Sequence, residues 1–119
     1  MIIIAGTIDL VDPSTRAACL ADTAHLQQAT REQEPGCLAY CFAPDPIVPG
    51  RIQVYELWAD TESLAAHFRH RNYLNMRDAL GRMGLKAADN KKYRVERVEP
   101  VYDETRTPRA DFFTQGELP

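Results

Sequence analysis

The amino-acid sequence predicts an α+β fold in the order β-α-β-β-α-β, and three observations carry that expectation. Four stretches, 2–10, 37–43, 51–59 and 92–102, are patterned as strands. Two stretches of helical spacing, about 13–33 and 61–84, separate the outer strands from the middle pair. The middle pair is joined by A-P-D-P-I-V-P-G, whose prolines and glycine cannot sustain a ladder and form a loop. This is the split βαβ, ferredoxin-like arrangement, in which the helices gather on one face of an antiparallel sheet.

The first strand places Ile2, Ile4, Ile8 and Leu10 on one side. Asp12 then suits an N-cap and Pro13 the first helical position. The helix that follows carries a stripe of Ala17, Leu20, Ala21 and Ala24 and stops at Pro35-Gly36. Residues 51–59 are rich in β-branched and aromatic side chains, as a strand requires. Asp60 or Thr61 caps the next helical stretch, which divides into about 61–70 and 71–84 near Arg71-Asn72 and stops at Gly84. The last strand, 92–102, contains Pro100 and so belongs at an edge or a bulge.

Strand 37–43 is apolar on both faces, with Cys37, Ala39, Cys41 and Ala43 on one side and Leu38, Tyr40 and Phe42 on the other. Strand 51–59 likewise sets Ile52, Val54 and Trp58 against Tyr55, Leu57 and Ala59. Helices cover only one of these faces, so a second sheet is expected on the other, in a two-fold homodimer. Residues 1–102 form the expected domain. The tail 103–119 is polar apart from Phe112 and Phe113, and is expected to be either disordered or an arm that clasps the partner.

At 119 residues, one domain with one core is the expectation. The net charge of −3 gives no footprint for nucleic acid, and the cluster His67, Arg69, His70, Arg71, Arg77 and Arg82 reads as a solvated helix face. No apolar run has the length of a membrane span, and the N-terminus lacks the positive region of a signal peptide. Cys37 and Cys41, four apart on a strand, stand roughly 13 Å apart. That exceeds the reach of a disulfide, so free thiols in a reducing cytoplasm are expected. His67 and His70 share a helix face at i, i+3, yet no third ligand stands near them, and no glycine-rich phosphate loop is present. No metal and no cofactor is expected.

The segments R-E-Q-E-P-G-C-L-A-Y at 31–40 and V-Y-E-L-W-A-D-T-E-S-L-A-A-H at 54–67 resemble the antibiotic biosynthesis monooxygenase family of dimeric α+β barrel proteins. The features that carry the likeness are E-P-G-C-L-x-Y and E-x-W-x8-H, and the strand order extends it to about 2–102. The resemblance implies a homodimer whose subunits each hold a pocket between sheet and helices. It also implies oxidation of an electron-rich aromatic (a phenol, anthrone or hydroquinone) to a quinone without a cofactor. A haem-degrading branch is disfavoured, since it carries an asparagine on the first strand and residues 2–10 contain none.

The resemblance places His67 at the family histidine, as a base for a phenol or as a structural hydrogen-bonding group. Trp58 is a pocket wall or a core residue. Glu56 is a mid-strand carboxylate that needs either an arginine partner or a wet cavity, where it can act as a base. Tyr40, Tyr55 and Tyr73 offer phenols to a polar substrate, and Asn72 and Arg77, near the helical break, reach toward a pocket mouth. Two other functions fit the same residues: a dimeric protein that only binds a small ligand, and a polyketide cyclase or isomerase working by acid–base chemistry alone.

Overall fold

The computed structural model describes residues 1–114. Strand β1 (Ile2–Leu10) leads through a 3-10 turn at Pro13–Thr15 into helix α1 (Arg16–Gln33). Strands β2 (Cys37–Pro44) and β3 (Arg51–Trp58) follow, then helices α2 (Thr61–Arg69) and α3 (Arg71–Met83), and strand β4 (Leu85–Arg94). The sheet is antiparallel in the order β2-β3-β1-β4, which is the ferredoxin-like arrangement. Asp12 caps the first turn by accepting from the Ser14 amide, and Asp60 caps α2 by accepting from Ser63. Among the described residues, no helix is long and apolar enough to cross a membrane.

The core lies between the helices and one sheet face. Ile8, Leu10, Tyr40, Ile52, Val54 and Trp58 meet Cys19, Leu26, Leu64, Met76 and Leu80 there. On α1 the buried stripe is Cys19, Thr23, Leu26 and Thr30, whereas Ala17, Ala21 and Ala24 are exposed. The expected alanine stripe is therefore displaced by about one-third of a turn. Thr23 and Thr30 tolerate burial because each hydroxyl donates to the carbonyl four residues earlier, Cys19 and Leu26, at 2.8 Å.

Two strand assignments are corrected. The last strand is Leu85–Arg94, not 92–102. Gly84, at φ +88°, turns the chain directly out of α3, so pairing with β1 starts at once and runs out at Ile2↔Arg94. The charged residues of β4 mask it, as is usual for an edge strand that must avoid adding a further strand. Cys37 and Cys41 also do not share a face. A bulge between Cys37 and Ala39 sets Cys37 opposite Trp58 on the helix side and leaves Leu38 exposed. Cys41 remains on the open face.

That open face presents Ile3, Ala5, Ala39, Leu57 and Tyr55, with Tyr93 of β4 beside them. Beyond β4, residues 95–114 are irregular but hydrogen-bonded. Asp103 accepts from the amides of Thr105 and Thr107 and pairs with Arg109, and Glu99 accepts from the amides of Phe113 and Thr114. Phe112 projects beside Ile3, Ala5 and Tyr93 and is 70% exposed. The last five residues of the expected tail lie outside the described residues.

The outer edge of β2 is sealed by α1. The Gln27 side chain accepts from the Phe42 amide at 2.9 Å and donates to the Phe42 carbonyl at 3.1 Å, while Arg31 Nε donates to the Tyr40 carbonyl at 2.7 Å. These bonds satisfy an edge that would otherwise pair with another chain. Replacing Gln27→Ala is expected to cost about 1–3 kcal/mol, because both Phe42 groups lose their partner. The check is a fall in the urea midpoint at constant slope; an unchanged midpoint would show that Gln27 does not hold the edge.

Candidate functional site

The site begins where α1 stops. Pro35 cannot continue the helix, so Glu34 leaves it in an extended conformation, φ −109° and ψ 101°. Gly36 follows because a Cβ there would run into the Ser63 side chain, which allows α2 to sit directly on the turn. The Ala59 amide donates to the Gly36 carbonyl at 2.9 Å and fixes the same approach. Two turns into α2, His67 is thereby brought over the end of β3.

His67 is buried and lies 4.4 Å, ring centre to ring centre, from the equally buried Trp58. Its Nδ1 is 2.8 Å from Glu34 Oε1, and its Nε2 is 4.0 Å from Glu56 Oε1. The carboxylate only accepts, so Nδ1 carries the proton and Nε2 is left as a lone pair. Glu34 Oε2 accepts from Asn72 Nδ2 at 3.2 Å. Glu56 Oε1 accepts from Trp58 Nε1 at 2.9 Å. One buried network therefore joins the end of α1, α2, α3 and the middle of β3.

Burial raises the Glu56 carboxyl to about 7, opposed by the Trp58 hydrogen bond and reinforced by the nearby Glu34 charge. Burial also lowers His67, partly offset by its bond to Glu34, which favours the neutral ring. Glu56 has no lysine or arginine partner among the described residues. Within the chain, Glu56 meets an indole N–H and a cavity rather than an arginine.

Glu56 lines a cavity of about 420 Å³ between the sheet and α3. Its aromatic walls are Tyr40, Phe42, Phe68 and Tyr73, and Ile4, Ile8, Met76 and Leu80 are among its apolar lining. Tyr40 stacks on Phe42 at 5.1 Å, and Phe68 meets Tyr73 edge-on at 5.2 Å. Burial holds the Tyr40 phenol far above its ordinary value, so it stays a neutral hydroxyl. Arg77, Lys91 and Lys92 stand on the same lining.

Of the residues named from sequence, Glu56, Tyr40, Tyr73 and Arg77 line this cavity. His67 and Trp58 are behind the wall, packed on each other. Asn72 is buried against Glu34. Tyr55 is on the opposite sheet face, 43% exposed, because strand alternation turns it away from Glu56. His70 lies past the end of α2, yet its Nδ1 comes within 3.9 Å of the same Glu34 carboxylate that His67 meets. It ends α2 in an extended conformation, and its Nδ1 accepts from the Asn72 amide to cap α3. Among the described residues, no group of three or more His, Cys, Asp or Glu is placed to hold a metal ion.

Glu34, Phe42, Phe68 and Lys92 escaped the sequence reading. Glu34 had a signal, a carboxylate at the P-G that ends α1, within the motif that carries the resemblance. The antibiotic biosynthesis monooxygenase family model matches residues 1–79. The chain belongs to the antibiotic biosynthesis monooxygenase family. No curated protein matches it. Among solved structures, a proposed antibiotic biosynthesis monooxygenase from Deinococcus radiodurans is 25% identical with a TM-score of 0.75, covering 87% of this chain and 100% of that one. A second from Caulobacter crescentus CB15 is 23% identical with a TM-score of 0.71, over 77% of this chain and 86% of that one. A conserved protein from Methanosarcina mazei Go1 shares the fold at 19% identity and a TM-score of 0.67, over 78% and 90%.

The Glu56 carboxyl of this family member gives a pH signature. It holds its proton more tightly folded than unfolded, so its contribution to stability is full below its ordinary value of 4.5 and is lost as pH rises to about 7. His67, lowered by burial, contributes in the opposite sense, its stability fading as pH falls below 6.5. Comparison with Glu56→Gln isolates the carboxyl. The variant is expected to be more stable than the parent by about 1–3 kcal/mol at pH 8, with the gap closing toward pH 5, read from urea unfolding at each pH. A gap independent of pH would exclude a raised Glu56.

Proposed function

We propose that this protein is a cofactor-independent monooxygenase that oxidises an electron-rich aromatic, a phenol, hydroquinone or anthrone, to a quinone. The observation that carries the reading is Glu56, the single acidic side chain lining an aromatic-walled cavity, with its carboxyl raised to about 7. A base of that strength, near the working pH and without a cationic partner, suits removal of a phenolic proton.

In this reading the substrate ring stacks between Phe42, Tyr40 and Tyr73 with its hydroxyl toward Glu56. Glu56 takes the proton. The phenolate gives one electron to dioxygen, and the phenoxyl radical and superoxide recombine at a hydrogen-bearing ring carbon, para to the oxygen in a phenol or anthrone and ortho in a hydroquinone, with Glu56 returning its proton to the peroxide. The resulting hydroperoxide loses water and leaves the quinone, so one substrate and one dioxygen yield one quinone and one water. His67, kept neutral by burial and fixed in place by Glu34, keeps Trp58 oriented so that its N–H steadies the ionised Glu56. The apolar walls exclude water and favour the charge-spread phenolate.

Assembly follows from the open sheet face. We infer a homodimer in which Ile3, Ala5, Leu57 and Tyr55 face a second copy and the 103–119 arm, through Phe112, clasps that copy. Cys19, Cys37 and Cys41 are free, which fits a reducing, cytoplasmic setting. Sedimentation should give twice the 13.5 kDa chain mass, and removal of residues 104–119 should weaken the dimer at least tenfold. A monomer, or an arm whose loss changes nothing, would defeat the respective inference.

Oxygen electrode measurements with hydroquinones, naphthols and anthrones test the chemistry. Uptake should match quinone formed, kcat/KM should rise with pH through about 7, and Glu56→Gln should lower kcat by about 10²–10⁴. Turnover under nitrogen would point to a cyclase or isomerase instead. Tight binding without any turnover would point to a ligand-binding protein.

A further inference from the structure

We propose that the cavity is selective for aromatic acids: a phenolic ligand of two or three fused rings whose carboxylate docks at the cavity mouth on Lys92 and Arg77. The proposal rests on the cavity being the substrate site and names the class of substrate it takes, but it does not depend on the oxygen chemistry.

The whole chain carries −3, yet the lining of this cavity carries three cations, Arg77, Lys91 and Lys92, against one acid, Glu56. A concave surface with apolar walls focuses that local reversal. The cations are unequal. Lys91 is engaged by Asp89 at 2.6 Å. Arg77 has only its exposed helix neighbour Asp78, at 3.6 Å. Lys92 has no carboxylate partner among the described residues.

Ile4 of β1 is paired with Glu56 on one side and Lys92 on the other. The three residues make one row on the helix side of the sheet. Two strand spacings put the backbones of Glu56 and Lys92 about 10 Å apart, with Ile4 as an apolar floor between them. A fused-ring phenol with an acid on its far ring matches that span. Its hydroxyl reaches Glu56 while its carboxylate reaches Lys92, and Arg77 of α3 closes over from the other wall. The reverse orientation would set two carboxylates together.

Isothermal titration with 6-hydroxy-2-naphthoate and its neutral amide, 6-hydroxy-2-naphthamide, tests this. The acid should bind at least about fivefold tighter at about 50 mM salt, with the advantage shrinking at about 500 mM. Lys92→Gln with Arg77→Gln should remove the advantage and leave the amide's affinity unchanged. Both side chains are exposed, and thermal melts will confirm that the double variant folds. Equal affinities in the parent protein, an advantage that survives the double variant, or binding of neither compound would overturn the proposal. The two readings fail separately. Acid selectivity without oxygen uptake refutes only the oxygenase, and oxygen uptake on phenols without acid selectivity refutes only this inference.

Discussion

The hydrogen bond between Glu34 and His67 is the constraint on which the rest of this site depends. It is 2.8 Å long, fully buried, and spans the end of α1 and the middle of α2. A carboxylate left unpaired at that depth would cost several kcal/mol, so the bond fixes where both helices end and begin. Asn72, on the second oxygen of Glu34, extends the same constraint to α3. Because His67 cannot rotate, Trp58 packs against a fixed ring, and its N–H points at Glu56 rather than elsewhere. The short turn at Gly36 exists to permit this closeness.

The same arrangement divides the labour between two carboxylates. Glu34 accepts from an imidazole and an amide, one donor on each oxygen. Glu56 receives a single indole hydrogen and lies near the Glu34 charge, so burial dominates and its proton is held into the neutral range. A buried acid with few donors at a cavity suits a base working near neutral pH. His67 connects the two without standing in the cavity. In the proposed reaction it would position Trp58 and keep the Glu34 carboxylate paired.

Much of this was legible in the sequence because periodicity and punctuation are local signals. The strand order, the Pro35-Gly36 stop and the helix break expected near Arg71-Asn72, found at His70, all follow from short-range patterning. Glu56 and Tyr40 were readable because strand alternation assigns them a face. What stayed hidden was decided by tertiary balance. Thr23 and Thr30 look polar, yet backbone carbonyls satisfy their hydroxyls, so the true stripe of α1 was masked. The polar residues of β4 masked a strand that exists because β1 needs a partner along its whole length. The bulge after Cys37 shifts one residue and reverses the meaning of its thiol. Glu34 could be seen as a helix terminator, but its bond to a histidine 33 residues away could not.

Strand β4 is where the two faces of the sheet meet. Lys92 points to the helix side and Tyr93 to the open side, because successive residues alternate. All ten residues of β4 are exposed, so in a lone subunit the strand is braced only by β1 along one edge. A second copy packed on Tyr93, Ile3 and Ala5 would brace the strand from the open side. The same contact would then hold Lys92 at the cavity mouth, although no partner residue need touch the ligand. Dimer formation and recognition of an acidic ligand would thus draw on one strand, and weakening one should loosen the other.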